Sequence, residues 1–308
     1  MSVTLSVQLA PNNQKGLVLS NPVIAASGTF GYGTEYAEII DIQQLGAVAC
    51  KGITLKPRTG NPQPRMTETA AGVLNSIGME NIGVDALINE KAPLWAEWQV
   101  PVIVNILGES VEEYITLAEK LDAIPGISGL EVNISCPNVS QGGMEFGANP
   151  KLAQEITRSV KKSTTLPVIV KLSPNVTDIT EIAGAVVEGG ADAITLINTL
   201  KGCAIDVQNR KPVLSNVVGG LSGPAIKPVA VTMVYQVYNC VTIPIIGCGG
   251  ITTTYDALEF IMAGASAVQI GTGTFSNPSA SIEIIRGIEH FMEKEGIHRL
   301  TDIIGAAH

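Results

Sequence analysis

A chain of 308 residues with 45% hydrophobic and 15% charged residues can bury a large core, which argues against intrinsic disorder. Its formal net charge of −9 comes with no basic cluster that could neutralise a phosphate backbone, so a nucleic-acid partner is not expected. No stretch reaches the roughly 18 consecutive apolar residues of a membrane span, so no membrane partner is expected either.

In chain order, residues 1–11 show no basic segment followed by an apolar one, so no secretion signal is expected. Residues 4–9 and 16–19 read as a small hairpin able to close the bottom of a barrel. Eight short apolar runs follow, at 23–26, 47–52, 102–106, 129–134, 168–172, 193–197, 243–247 and 267–271. Amphipathic segments alternate with them. Residues 109–122 space their apolar positions by three and four, Asn149-Pro150 reads as a cap and first helical residue, and Gly223-Pro224 opens another helix in the same way. This alternation predicts an α/β fold: a (β/α)8 TIM barrel with an N-terminal β-hairpin, forming one domain over residues 1–308. Two connections, 55–81 and 201–220, are long and carry GNPQPR and GGLSG, so they read as functional βα loops.

The active site of such a barrel lies at the carboxyl ends of the strands, and there this chain is polar. Lys51 ends the second run and Asn105 lies in the third, while Asn133-Ile134-Ser135-Cys136-Pro137-Asn138 closes the fourth. Lys171 belongs to the fifth, Asn198-Thr199 follow the sixth, and Gly249-Gly250 and Gly271-Thr272 stand at the ends of the last two. The paired glycine clusters fit a phosphate site in which backbone N–H groups approach oxygens; glycines that only turn strand into loop are the plain alternative. A lysine at the end of a buried strand is costly unless paired. Lys51 and Lys171 therefore read as counter-charges for an anionic ligand, as structural ion pairs, or as Schiff-base amines. Asn75, Asn105, Asn133 and Asn198 offer donors and acceptors together, as a ring with alternating N–H and C=O groups such as a pyrimidine requires, although a single asparagine fits a turn equally well.

Five cysteines without CxxC spacing form neither a disulfide framework nor a zinc or iron–sulfur site, and they fit a reducing, cytoplasmic setting. Cys50, Cys248 and Cys240 read as buried inert thiols, whereas Cys136 stands among turn-forming residues. The histidines, His290, His298 and His308, all lie beyond position 289, so a base in the barrel must be another residue, and Cys136 is the candidate proton acceptor.

These residues resemble class 1 dihydroorotate dehydrogenases. The matching segments are Lys51-Gly52-Ile53-Thr54, Gly60-Asn61-Pro62-Gln63-Pro64-Arg65, Asn75-Ser76-Ile77-Gly78-Met79-Glu80-Asn81, the Asn133 to Asn138 segment, Asn198-Thr199-Leu200-Lys201-Gly202 and Gly219-Gly220-Leu221-Ser222-Gly223-Pro224. They keep their order across nearly the whole chain, with departures at Met79, Cys203 and Cys248. The NISCPN, NTLKG and GGLSGPAIKP set is most similar to class 1B, the NAD-linked type.

The resemblance implies oxidation of (S)-dihydroorotate to orotate in pyrimidine biosynthesis, with Cys136 as the base. It implies a substrate site of Lys51, Asn75, Ser76, Ile77, Gly78, Met79, Asn133, Asn198 and Thr199. It implies an FMN site of Ser27, Lys51, Gly52, Asn105, Asn133, Lys171, Ile197, Gly223, Gly249, Gly250, Gly271 and Thr272. It further implies a homodimer within a heterotetramer, whose second subunit carries FAD and a [2Fe-2S] cluster and passes electrons to NAD. This chain has no GxGxxG that follows a strand to hold NAD or FAD itself. Three other readings compete: a class 1A-type homodimer that reduces fumarate, a Schiff-base aldolase on a phosphate-binding barrel, and a barrel subunit without catalysis.

Overall fold

The computed structural model describes residues 3–135, 137, 138 and 144–308. Eight parallel strands close into a barrel, neighbouring one another in chain order. We number them β1 (Val23–Ala25), β2 (Ala47–Ile53), β3 (Val102–Ile106), β4 (Gly129–Asn133), β5 (Val168–Lys171), β6 (Ala193–Leu196), β7 (Ile245–Cys248) and β8 (Ala267–Ile270). The ring closes where β5 pairs with β4, Lys171 opposite Asn133, and where β8 pairs with β1, Val268 opposite Val23. The strands are almost wholly buried and rich in valine, isoleucine and alanine, as parallel strands covered on both faces must be.

Seven of the eight apolar runs start where their strand starts. The exception is the run at 243–247, whose strand begins at Ile245. Pro244 has no N–H for the ladder and contributes only its carbonyl, which accepts from Ile194 N at 3.0 Å, so regular pairing starts one residue later.

The outer helices are α1 (Val111–Leu121), α2 (Pro150–Ser163), α3 (Ile179–Glu188), α4 (Lys227–Tyr238), α5 (Thr254–Met262) and α6 (Ala280–Glu295). The caps follow side-chain chemistry. Ser110 accepts from Glu113 N to start α1, and Asn149 accepts from Lys151 N and Leu152 N ahead of Pro150 to start α2. Pro224–Ile226 forms a 3-10 turn, from which α4 continues. No described helix is long and apolar enough to cross a membrane.

The N-terminal hairpin pairs Val7 with Leu19 and Gln8 with Val18. It buries Leu9, Leu17 and Leu19, and Leu17 lies beside Gly129 and Pro167, at the amino ends of β4 and β5. The hairpin thus covers the barrel's amino end, as the sequence suggests.

The two long connections are not independent loops. Met66–Thr69 and Gly72–Asn75 from the first join Leu200–Cys203 and Val218–Ser222 from the second in a four-stranded antiparallel sheet. Its central contact sets Asn75 opposite Gly220 and Leu74 opposite Leu221.

One carboxylate fixes the turn from β7 into α5. Asp256 accepts from Thr252 N, Thr253 N, both threonine hydroxyls and Lys227 Nζ (2.8 Å), completing a capping box with Thr253. Burial alone would raise the Asp256 pKa, but these donors outweigh it and hold the carboxyl down at about 2, against 3.8. A depressed folded pKa contributes stability that is present above about pH 4 and lost as pH falls toward 2. Asp256→Asn is therefore expected to cost about 1–3 kcal/mol at neutral pH and little near pH 2. Thermal melts across that range check this; an equal cost at both pH values would contradict it.

Candidate active site

At the carboxyl end of the barrel lies a cavity of about 480 Å³. Every strand end contributes. Ser27 follows β1, and Lys51 and Gly52 belong to β2. Asn105 lies in β3, Asn133 ends β4, Lys171 ends β5, and Ile197, Asn198 and Thr199 follow β6. Gly249 and Gly250 follow β7, and Gly271 and Thr272 follow β8. Asn75, Ile77, Met79 and Gly223 come from the two long connections. Ser76 lines a smaller neighbouring hollow that shares Asn75, Asn198 and Thr199 with the main cavity. Gly78 lines neither; a side chain there would strike Asn61. Cys136 lies outside the described residues, one position beyond Ser135, which lines both hollows.

The asparagines are held by specific partners. Asn133 Oδ1 accepts from Ser135 N and Asn198 Nδ2, each at 3.1 Å. Asn198 Oδ1 accepts from Thr199 N at 2.8 Å, and Asn75 Nδ2 donates to Gly220 O at 3.3 Å. The Asn133 backbone carbonyl is fastened from behind by Tyr114 OH at 2.6 Å. These bonds fix the orientation of each amide, which a ligand with alternating donors and acceptors needs.

The two lysines differ. Burial pushes the Lys51 ammonium below its ordinary pKa; Glu80 pulls the other way and Arg65 adds to the lowering. Glu80 itself is bound by Arg65 Nη2 at 2.5 Å. Burial would also lower Lys171, but the charge of Glu131, aided by Cys248, outweighs it and raises Lys171 above its ordinary value. Lys171 Nζ donates to Gln269 Oε1 at 3.0 Å and lies 3.9 Å from Glu131 Oε2.

The glycine clusters meet the demands of a phosphate site. Gly249 and Gly250 have φ of 130° and 75°, which side chains rarely adopt. Among the described residues the N–H groups of Gly249, Gly250 and Thr272 have no protein acceptor, so they are donors available to an anion. Together with the cation of Lys171, this donor set fits the phosphate and the electron-rich ring of a flavin mononucleotide.

Sequence reasoning missed several residues. Met66, Glu80, Ser135, Cys248 and Phe275 line the cavity, and Glu131, Thr195 and Gln269 lie buried inside the barrel. Cys248 is buried, as the sequence reading has it, and it also forms part of the cavity wall. Cys240 is not buried: it is exposed near the end of α4, its Sγ bonded to Gln236 O.

The fold and this cavity define the class: a TIM barrel whose mouth offers backbone donors from glycine-rich turns beside asparagine amides held in fixed orientations. The sequence pattern of the dihydroorotate dehydrogenase family matches residues 9–292. The chain is 56% identical over 294 residues to the protein of Pelobacter propionicus named dihydroorotate dehydrogenase B (NAD(+)), catalytic subunit, covering 96% of this chain and 97% of that one. It is 56% identical over 308 residues to the protein of the same name from Desulforamulus reducens, covering all of both chains. With the Geotalea uraniireducens protein, again of that name, it shares 55% identity over 302 residues, 98% of this chain and 97% of that one. The chain belongs to the dihydroorotate dehydrogenase family.

The buried thiols differ from the exposed pair, Cys203 and Cys240, in a measurable way. Burial pushes Cys50 up to about 12, with Glu131 and Glu35 adding to the rise, and burial raises Cys248 as well. A pKa near 12 leaves about a thousandth of the thiolate of an ordinary cysteine at neutral pH. A neutral thiol reagent should label Cys203 and Cys240 in the native protein, and Cys50 and Cys248 only on unfolding. Peptide mapping checks this; native labelling of Cys50 would contradict its burial.

Proposed function

We propose that this chain is the catalytic subunit of a class 1B dihydroorotate dehydrogenase: it oxidises (S)-dihydroorotate to orotate in pyrimidine biosynthesis and passes the electrons on toward NAD. One observation carries the reading: a single cavity joins Lys171 and the glycine donors to the pinned amides of Asn75, Asn133 and Asn198. The relatives' shared name supports the NAD-linked class and a separate partner.

In this reading FMN sits against Ser27, Gly52, Asn105, Lys171, Ile197 and Gly223, with its phosphate on Gly249, Gly250, Gly271 and Thr272. The bound flavin supplies the hydride acceptor. Lys51, Ile77, Met79 and Thr199, with the three asparagines, hold the substrate carboxylate and ring, and Ser76 and Gly78 shape the loop beside it. Lys51 lies near enough to Glu80 and Arg65 for their charges to act on it, and a substrate carboxylate would give its ammonium a direct partner. Cys136 takes the C5 proton as the C6 hydrogen leaves with its electron pair; this role rests on the sequence, next to Ser135 at the cavity wall.

The Schiff-base alternative needs an uncharged amine. At Lys171 the surroundings favour the ammonium instead, which supports the counter-charge role. The partner is an FAD and [2Fe-2S] subunit docked on a homodimer of this chain, all cytoplasmic. For the homodimer the four-stranded sheet and the adjoining hairpin of Ile205–Asp206 with Lys211–Pro212 offer apolar contacts: Ile205, Val207, Val217 and Val218 are exposed there.

The isolated protein should be yellow with FMN and lose that colour when dihydroorotate is added without oxygen. It should reduce artificial acceptors yet reduce NAD hardly at all until the partner is supplied. A colourless protein that cannot be reconstituted with FMN would sink the flavin reading, fast unaided NAD reduction would sink the partner, and efficient fumarate reduction would place the chain in class 1A.

Cys136→Ser should keep FMN and lose about 10²–10⁴-fold in the rate of flavin reduction at neutral pH, because a hydroxyl is a far weaker base than a thiolate. Part of the rate should return at high pH. Stopped-flow reduction at the wild-type rate would refute the base assignment.

A further inference from the structure

One charged group inside the barrel is unused by this reading. Glu131, in the middle of β4, has 0% of its surface exposed. Its Oε1 accepts from Thr195 Oγ1 at 3.0 Å and Gln269 Nε2 at 2.5 Å. Its Oε2 accepts from Asn105 Nδ2 at 2.7 Å and Ser27 Oγ at 3.3 Å. Lys171 Nζ stands 3.9 Å from Oε2. Ser27, Asn105 and Lys171 line the cavity, whereas Glu131, Thr195 and Gln269 do not.

The hydrogen-bond directions follow from one fact: an ammonium only donates. Lys171 therefore faces the oxygen of Gln269, so the amide nitrogen of Gln269 points at Glu131, which must accept. On the other oxygen, Asn105 spends its nitrogen on Glu131 and leaves Oδ1 on the side of Gly52, where an added Cβ would lie 2.8 Å from it. Both residues at that junction line the cavity.

We propose that Glu131 is a positioning residue for the flavin: lying behind the cavity wall, it fixes the acceptor face of Asn105 and the cationic form of Lys171 that the wall presents to the ring. The proposal rests on the flavin reading above. Glu131→Gln is nearly isosteric but cannot satisfy the site. Each oxygen of Glu131 faces an amide NH₂, so whichever way the new amide turns, its own NH₂ meets a donor, and Asn105 or Gln269 must flip. Lys171 also loses its carboxylate. The titratable groups facing Lys171 among the described residues are Glu131 and Cys248, and burial keeps the Cys248 thiol protonated. Without the charge of Glu131 only the hydrogen bond to Gln269 and the weaker influence of Cys248 oppose the burial, which then drives Lys171 toward its neutral form.

The electron and proton count makes this visible. Two electrons and one proton convert the flavin to its reduced anion, and in the wild type Lys171 is protonated throughout. In E131Q a neutral Lys171 would take up a second proton when the anion forms beside it. The midpoint potential should then fall by about 60 mV per pH unit around neutrality, against about 30 mV in the wild type, since a tenfold change in proton concentration is about 30 mV per proton for this two-electron couple. FMN should also bind the E131Q apoprotein about tenfold more weakly, read from FMN fluorescence quenching. A role in packing alone would move the melting temperature and leave the slope at its wild-type value. Wild-type affinity and slope in E131Q overturn the proposal, whereas a wild-type apoprotein that takes up no FMN overturns the flavin reading instead. If E131Q cannot be purified, Gln269→Met decides: it keeps volume and Glu131 but severs the amide between Glu131 and Lys171, and should weaken FMN in the same direction. Wild-type affinity in Q269M then overturns the proposal.

Discussion

Lys171 and Glu131 face each other inside a barrel otherwise filled largely by valine, isoleucine and alanine. Taking two such charges out of water costs several kcal/mol for each ion before any attraction is counted, and an apolar pair of similar volume would often serve stability as well or better. The pair is therefore poorly explained as a fold stabiliser. It is well explained as one end of a ligand site, because one member reaches the cavity and the other is enclosed by donors from β3, β6 and β8 and by Ser27 beyond β1. The strand registers around the barrel are what bring these groups to one carboxylate.

The second lysine shows the complement of this arrangement. Lys171 has its counter-charge built into the wall, whereas the carboxylate that acts most on Lys51, that of Glu80, is engaged by Arg65. One cation is compensated before any ligand arrives; the other gains most from an anion that comes and goes. The same residue type thus suits a resident group at one point of the cavity and a passing substrate at another, and the difference lies in neighbours rather than in depth alone.

Much of this was legible in the sequence, and the parts that were not share a cause. Strand starts were readable because a parallel barrel needs near-continuous apolar runs, and the start of α2 because Asn149-Pro150 is cap chemistry in two residues. Site residues at strand ends were readable because topology alone sends them to one mouth. Glu131 was not, since a lone glutamate in GLEVN looks like an outward-facing residue until Asn105, Thr195 and Gln269 are known to face it. The four-stranded sheet over the mouth was not, because its strands are short, polar or glycine-rich, and its central pairing, Asn75 with Gly220, joins residues more than a hundred positions apart. Cys240 was misread because it follows an apolar helix yet sits on the solvent side of that helix's end.

That roof gives the glycines of GGLSG a physical reason. Gly220 pairs with Asn75 across the sheet and accepts from its side-chain amide, while a Cβ on Gly220 would fall 2.1 Å from Thr199 Oγ1. Gly219 is as tightly placed, its missing Cβ 2.8 Å from Asn75 O. Two residues of the candidate substrate site, from different βα connections, are thus spaced by a backbone that admits no side chain between them. The distance from Asn75 to Thr199 is consequently set by sheet pairing rather than by either loop alone. A side chain at 220 would press on Thr199 and one at 219 on the Asn75 carbonyl, so each glycine guards one of the two groups.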